Sequence, residues 1–166
     1  MRVPIRKGGK YTYIKPDPYI TSEKLAELKI ELEKLKKHIH PQLASEVKRL
    51  ALMGDFSENA AYQIAKGKLR GLNEKISKIE KQIVSAQIID TKNKADSAQI
   101  GALITLEFEN NKKQYRILGS LETDPSKGVI SYSSPLGQAL INKKLGDSVE
   151  IKLGDKSVKY KIIKIE

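Results

Sequence analysis

Residues 62–86 read YQIAKGKLRGLNEKISKIEKQIVSA, and their apolar spacing decides the fold. Tyr62, Ala65, Leu69, Leu72, Ile76, Ile79, Ile83 and Ala86 recur in unbroken steps of three and four, the mark of one apolar stripe along an α-helix. Toward the N-terminus a second stripe runs through Leu25, Leu28, Leu32, Leu35 and Ile39, then resumes at Leu43, Val47 and Leu50. Thr21 or Ser22 is placed to cap that helix. Pro41 removes one helical hydrogen bond and predicts a kink. Gly54 ends the first helix, and the second is expected to begin just past it. Two narrow stripes of similar length, joined by a few residues, bury themselves economically only against each other. The expectation is an antiparallel coiled-coil hairpin over residues 19–90 with its tip at 54–59. Arms of about thirty residues would reach on the order of 45 Å.

Outward from the hairpin the pattern changes on both sides. Residues 1–18 are basic and punctuated by Gly8, Gly9, Pro4, Pro16 and Pro18, a composition that predicts an extended, mobile arm. Residues 91–98 are polar and read as a linker. Residues 99–166 offer β-leaning segments at 100–108, 114–118, 129–133, 148–153 and 158–165. Gly154-Asp155-Lys156 is a hairpin signal between the last two. Ser134-Pro135 opens a segment with helical spacing over 136–141. A small antiparallel sheet with one short helix follows, so the chain as a whole is α+β.

Composition agrees with this division. Of 166 residues 39% are apolar and 31% charged, with no Trp and only two Phe, so the core must be aliphatic. With no Cys, disulfides and thiolate metal sites are excluded. No apolar run approaches the ~20 residues needed to cross a bilayer, and no apolar block follows the basic N-terminus, so an intracellular, cytoplasmic protein is expected. The formal net charge of +11 draws the chain toward polyanions, nucleic acid foremost.

The tip reads Gly54-Asp55-Phe56-Ser57-Glu58-Asn59-Ala60-Ala61-Tyr62. Asp55 and Glu58 are three apart at a helix start, so their carboxylates can converge on one side. Two carboxylates on an exposed tip suit Mg²⁺, which takes few protein ligands and fills its other positions with water or phosphate. Asp-x-x-Glu is equally a capping box, in which each side chain satisfies the other residue's backbone N–H. Spacing leaves both readings open.

The stretch 54–62, followed by Gln63 and a basic run ending in Lys68-Leu69-Arg70, resembles the signature of the Gre family (GreA and GreB) of transcript cleavage factors. The resemblance extends from about Tyr19 through Ala86-Gln87-Ile88-Ile89-Asp90. It resumes at 131–145, where Ser134-Pro135 and Ala139-Leu140 are similar to the family's C-terminal segment. It implies a C-terminal FKBP-like domain that docks on bacterial RNA polymerase through Ser133, Ser134 and Pro135, although GreB-like sequences tend to carry Asp where Ser133 stands. It also implies a coiled coil that passes down the polymerase secondary channel to the extruded nascent RNA 3′ end. In that setting Asp55 and Glu58 would help hold a Mg²⁺ shared with the polymerase, and none would be bound stably by the chain alone. The chain would act as a monomer that stimulates the polymerase's own RNA cleavage.

A basic patch on both arms, Lys48, Arg49, Lys66, Lys68 and Arg70, would contact RNA phosphates in such a protein, with Lys66 and Arg70 pointing the same way. An ordinary solvated helix face is the plainer alternative. Tyr62 offers a ring for base stacking, though its seam position fits core packing equally. Three other readings stand beside this one. They are a prolyl isomerase using Phe108, Tyr115, Tyr132 and Tyr160, a channel-occupying regulator without cleavage, and a generic coiled-coil interaction module.

Overall fold

A computed structural model of the protein describes residues 17–53, 59–89, 96–109, 111–153 and 156–166. The expectations placed on residues 1–16, on Asp55 and Glu58, on residues 91–95 and on Gly154-Asp155 lie outside these described residues.

Strand β1 (Tyr19–Ile20) leads into helix α1 (Ser22–Lys34). Thr21 caps α1 as expected, its side chain accepting from the Lys24 N–H at 3.2 Å. The helix continues through a π-helical turn (Leu35–Ile39) into α2 (His40–Ala51), where Pro41 occupies the first turn. The irregularity expected at Pro41 therefore takes the form of a widened turn just before it. The His40 N–H bonds the Leu35 carbonyl, five residues back. The seam explains why. From Leu35 the apolar positions advance by fours, to Ile39, Leu43 and Val47, and each such step overshoots a regular turn by about 40°. A wider turn absorbs the excess and returns the stripe to the partner helix.

Helix α3 (Ala60–Ser85) is the second arm. Leu28, Leu35 and Leu50 of the first arm and Ala65, Leu72, Ile76 and Ile79 of the second are buried. The other seam positions are half-buried beside them. Lys36–Glu80 at 2.5 Å and Lys75–Glu31 at 2.6 Å join the arms across their exposed flanks. Each such pair contributes at most about 1 kcal/mol. At the base, β2 (Gln87–Ile88) pairs in parallel with β1, and Ile20, 1% exposed, closes the seam there.

The remaining strands are β3 (Leu103–Phe108), β4 (Asn111–Leu118), β5 (Val129–Ser131), β6 (Ser148–Leu153) and β7 (Lys156–Ile165). They form one sheet in the order β5-β4-β3-β7-β6, with helix α4 (Pro135–Leu140) packed against it. The expectation of a wholly antiparallel sheet is corrected at one edge, because β5 runs parallel to β4. Two 3₁₀ turns, Ser120–Glu122 and Pro125–Lys127, carry the chain back along the edge before β5 begins, where an antiparallel neighbour would need only a tight turn. Ile104, Leu106, Ile117, Leu140 and Ile162 make the aliphatic core, and Ala98 joins it with no exposed surface. Ala98, read as linker, is thus part of the globular fold, exchanging backbone hydrogen bonds with Lys143 and Asn142.

Candidate functional site at the hairpin tip

The second arm begins at Ala60, later than the start expected just past Gly54. Asn59 is the N-cap of α3, its Oδ1 accepting from the Tyr62 N–H at 3.0 Å. Its Nδ2 donates to the Leu50 carbonyl at 3.4 Å, so one side chain joins the end of α2 to the start of α3. Asn59 thus caps α3, while Asp55 and Glu58, for which the sequence left capping and metal binding both open, lie outside the described residues. The two carboxylates precede the cap, in the segment that joins the arms. Asn59→Ala is expected to lower stability by about 1 kcal/mol, and Asn59→Asp, which keeps the acceptor, by less. Chemical denaturation followed by helical circular dichroism measures both.

Lys48 and Arg49 lie in the last turn of α2, and Lys66, Lys68 and Arg70 in the first three turns of α3. All five are exposed. Arg49 reaches forward to the Met53 sulfur at 3.9 Å, and Arg70 faces Glu74 at 3.6 Å in a solvent-exposed pair that holds it weakly. The Lys66 ammonium sits 5.8 Å from the centre of the Tyr62 ring, a cation–π distance. Tyr62 is half-buried, so it serves the seam while its ring carries Lys66. Leu52, Met53 and Ile64, which expose 80%, 68% and 59% of their surface near the tip, escaped the reading of spacing. The signal was present, since Ile64 falls off the α3 stripe and Leu52-Met53 run past the last seam position of α2.

Ser133, Ser134 and Pro135 sit together at the start of α4. The Ser134 hydroxyl donates to the Ser131 carbonyl at 2.6 Å and accepts from the Gly137 N–H at 3.1 Å, and Pro135 occupies the first turn. Ser133 is exposed, with its carbonyl accepting from the Gln138 side chain at 3.0 Å. The four aromatics considered for an isomerase do not converge. Phe108 and Tyr160 pair at 5.5 Å beside a hollow of about 40 Å³, well below the ~300 Å³ of an ordinary ligand cleft. Tyr132 meets Tyr19 edge-on at 5.4 Å, and Tyr115 packs against the core. Burial, and after it the neighbouring Asp17 carboxylate, holds the Tyr132 hydroxyl above its ordinary pKa.

Both parts of the chain match family models. Residues 18–88 match the N-terminal model described as transcription elongation factor, and residues 92–166 match the model for the C-terminal part of GreA/GreB. The chain belongs to the GreA/GreB family of transcription elongation factors. This GreA/GreB chain is 35% identical over 151 residues to transcription elongation factor GreA of Lachnoclostridium phytofermentans, covering 89% of this chain and 94% of that protein. It is 37% identical over 164 residues to GreA of Anaeromyxobacter sp. strain K, covering 97% and 90%. Among solved structures, GreA factor homolog 1 of Thermus thermophilus aligns over 89% of this GreA/GreB chain and 97% of that chain, at 17% identity and a TM-score of 0.41.

Proposed function

We propose that this chain binds bacterial RNA polymerase in the cytoplasm, as a monomer, and inserts its hairpin into the secondary channel. There it stimulates endonucleolytic cleavage of a backtracked transcript, so that the RNA 3′ end returns to register and elongation resumes. The chain is not itself the enzyme; the polymerase performs the cleavage. The observation that carries the reading is the cap of α3. Asn59 is the N-cap of α3, so a residue other than the two carboxylates supplies an acceptor at the helix start, which supports reading Asp55 and Glu58 as metal ligands.

The donor set fits the partner proposed. Two carboxylates supply hard oxygen ligands of the kind Mg²⁺ takes, and they are too few to hold it without other ligands, which suits an ion shared with the polymerase. Bound there, Mg²⁺ supplies Lewis-acid charge for phosphodiester hydrolysis. The chain's own part is delivery. The 26-residue α3, about 39 Å long, carries the tip away from the globular part on a stiff element, whereas a loop would let it wander. Lys48, Arg49, Lys66, Lys68 and Arg70 line the approach and attract the extruded RNA, with Tyr62 beside them as a stacking ring. Ser133, Ser134 and Pro135 dock on the polymerase.

The test is a stalled, backtracked polymerase complex incubated with the protein and Mg²⁺, scoring the lengths of released RNA. Release of short 3′ fragments and resumed elongation are expected. Binding without release would instead identify a channel-occupying regulator. Charge reversal at Lys66 and Arg70 is expected to weaken RNA capture and flatten its salt dependence, by about 0.7 in the log–log slope for each phosphate no longer neutralised. Cleavage measured across a salt series at fixed Mg²⁺ checks this.

A further inference from the structure

The seam between hairpin and globular part combines apolar contacts with carboxylates bonded to backbone groups. Glu122, in the 3₁₀ turn after β4, accepts from the Thr21 N–H at 2.8 Å through one oxygen and from the Thr21 hydroxyl at 2.5 Å through the other. Thr21 is buried and is the cap of α1, so this carboxylate sits on the positive end of the first arm. Asp17, ahead of β1, does the converse. Its Oδ2 accepts from the Ser120 N–H at 2.6 Å and the Ser120 hydroxyl at 3.0 Å, while its Oδ1 accepts from the Tyr19 N–H at 3.0 Å. Each half therefore lends a carboxylate to the other half's backbone.

Between these two points the chains touch main chain to main chain. A Cβ on Gly119 would lie 1.8 Å from the Tyr19 carbonyl oxygen, so no side chain fits there. Leu121 reaches into the hairpin's apolar cluster beside Ile20, and Tyr19 meets Tyr132 edge-on. Apolar contacts tolerate sliding. A carboxylate gripped through both oxygens does not, because its donors fix its plane.

We propose that Asp17 and Glu122 are positioning residues, forming a reciprocal clasp that sets the direction of the hairpin and so places its tip. The consequence for cleavage rests on the function proposed above; the clasp itself does not. Leverage makes the effect large. A tilt of about 5° at the base moves the far end of a ~39 Å helix by about 3.4 Å, and misplacement by about 1 Å already costs roughly a hundredfold in rate.

The chain has no cysteine, so spin labels can be placed cleanly at Lys78→Cys on α3 and Lys159→Cys on β7. Pulsed dipolar spectroscopy should give one narrow distance in the otherwise unaltered chain. In the Asp17→Ala/Glu122→Ala double variant the distribution should broaden at least twofold. Gly119→Ala, which wedges the same seam by a different route, should broaden it likewise, with helical circular dichroism unchanged in both. At saturating factor, cleavage by the double variant should fall at least tenfold while its affinity for polymerase changes less than threefold. Glu122→Gln, which keeps one acceptor oxygen, should recover part of the loss. A distribution equally broad before and after substitution, or equally narrow, overturns the clasp. Broadening without loss of cleavage overturns the positioning role. An unaltered chain that stimulates no cleavage sinks the functional reading instead, and the distance measurement then decides the clasp alone.

Discussion

Replacing Asp55 and Glu58 together by alanine is expected to lower stimulated transcript cleavage by about a hundredfold or more, with polymerase binding nearly unchanged. The separation follows from the architecture. The seam that builds the rod runs through Leu50 on one arm and Tyr62 on the other, and Asn59 is the N-cap of the second arm. Neither carboxylate is a seam position, so the packed hairpin is expected to survive their removal. Because two ligands of one ion act as a unit, each single substitution should approach the loss of the pair, with no even division of the effect between them. Fragment release from a backtracked complex reports the first quantity, and competition for polymerase against the unaltered chain reports the second. Parallel loss of both would make the tip a docking element and return the chain to the class of plain interaction modules.

Gly137→Ala is expected to destabilise the globular part by about 2–3 kcal/mol and to weaken polymerase binding, while the hairpin keeps its helical signal. Gly137 is buried in α4, where an added Cβ would stand 2.1 Å from the Ser131 carbonyl oxygen and 2.8 Å from the Tyr132 Cα. Both neighbours are main chain, so no rotamer change relieves the clash, and α4 must lift from β5. Lifting it displaces Ser133, Ser134 and Pro135, which are held to Ser131 and Gly137 by the Ser134 hydroxyl. Amide hydrogen exchange resolves the effect by region: faster exchange in β3, β4 and β7, unchanged exchange in α1 and α3. Should binding survive a demonstrably loosened α4, the docking role assigned to 133–135 would have to move elsewhere on the molecule.

The parts of this fold that repeat along the chain are the parts that can be read from it. The α3 stripe, the Thr21 cap and the strands of the sheet all leave local, periodic marks, and each stands where those marks put it. The parts missed depend on partners far away in sequence. Glu122 on Thr21 and Asp17 on Ser120 join positions about a hundred residues apart, and no spacing rule records such a meeting. The parallel run of β5 is set by how residues 119–128 turn, and their composition suggests only that they do turn. The start of α3 was missed for a related reason, since Asn59 bonds both the Tyr62 N–H and the Leu50 carbonyl of the other arm, and local spacing does not record the second contact. The widened turn at 35–39 was legible in the steps of four, yet Pro41 beside it offered a more familiar cause.

That widened turn has a bearing on how such a rod could change length. A single residue added to or taken from either arm shifts every later side chain by about 100° around the axis and unseats the packing, unless a turn nearby can loosen or tighten to take it up. Residues 35–39 are the place where the first arm already does so. Elsewhere the arms can lengthen only in whole seven-residue units, and in both arms at once, so reach grows in increments of about 10.5 Å. Variants built to probe channel depth should follow those graduations, with lone insertions confined to the one turn that has slack.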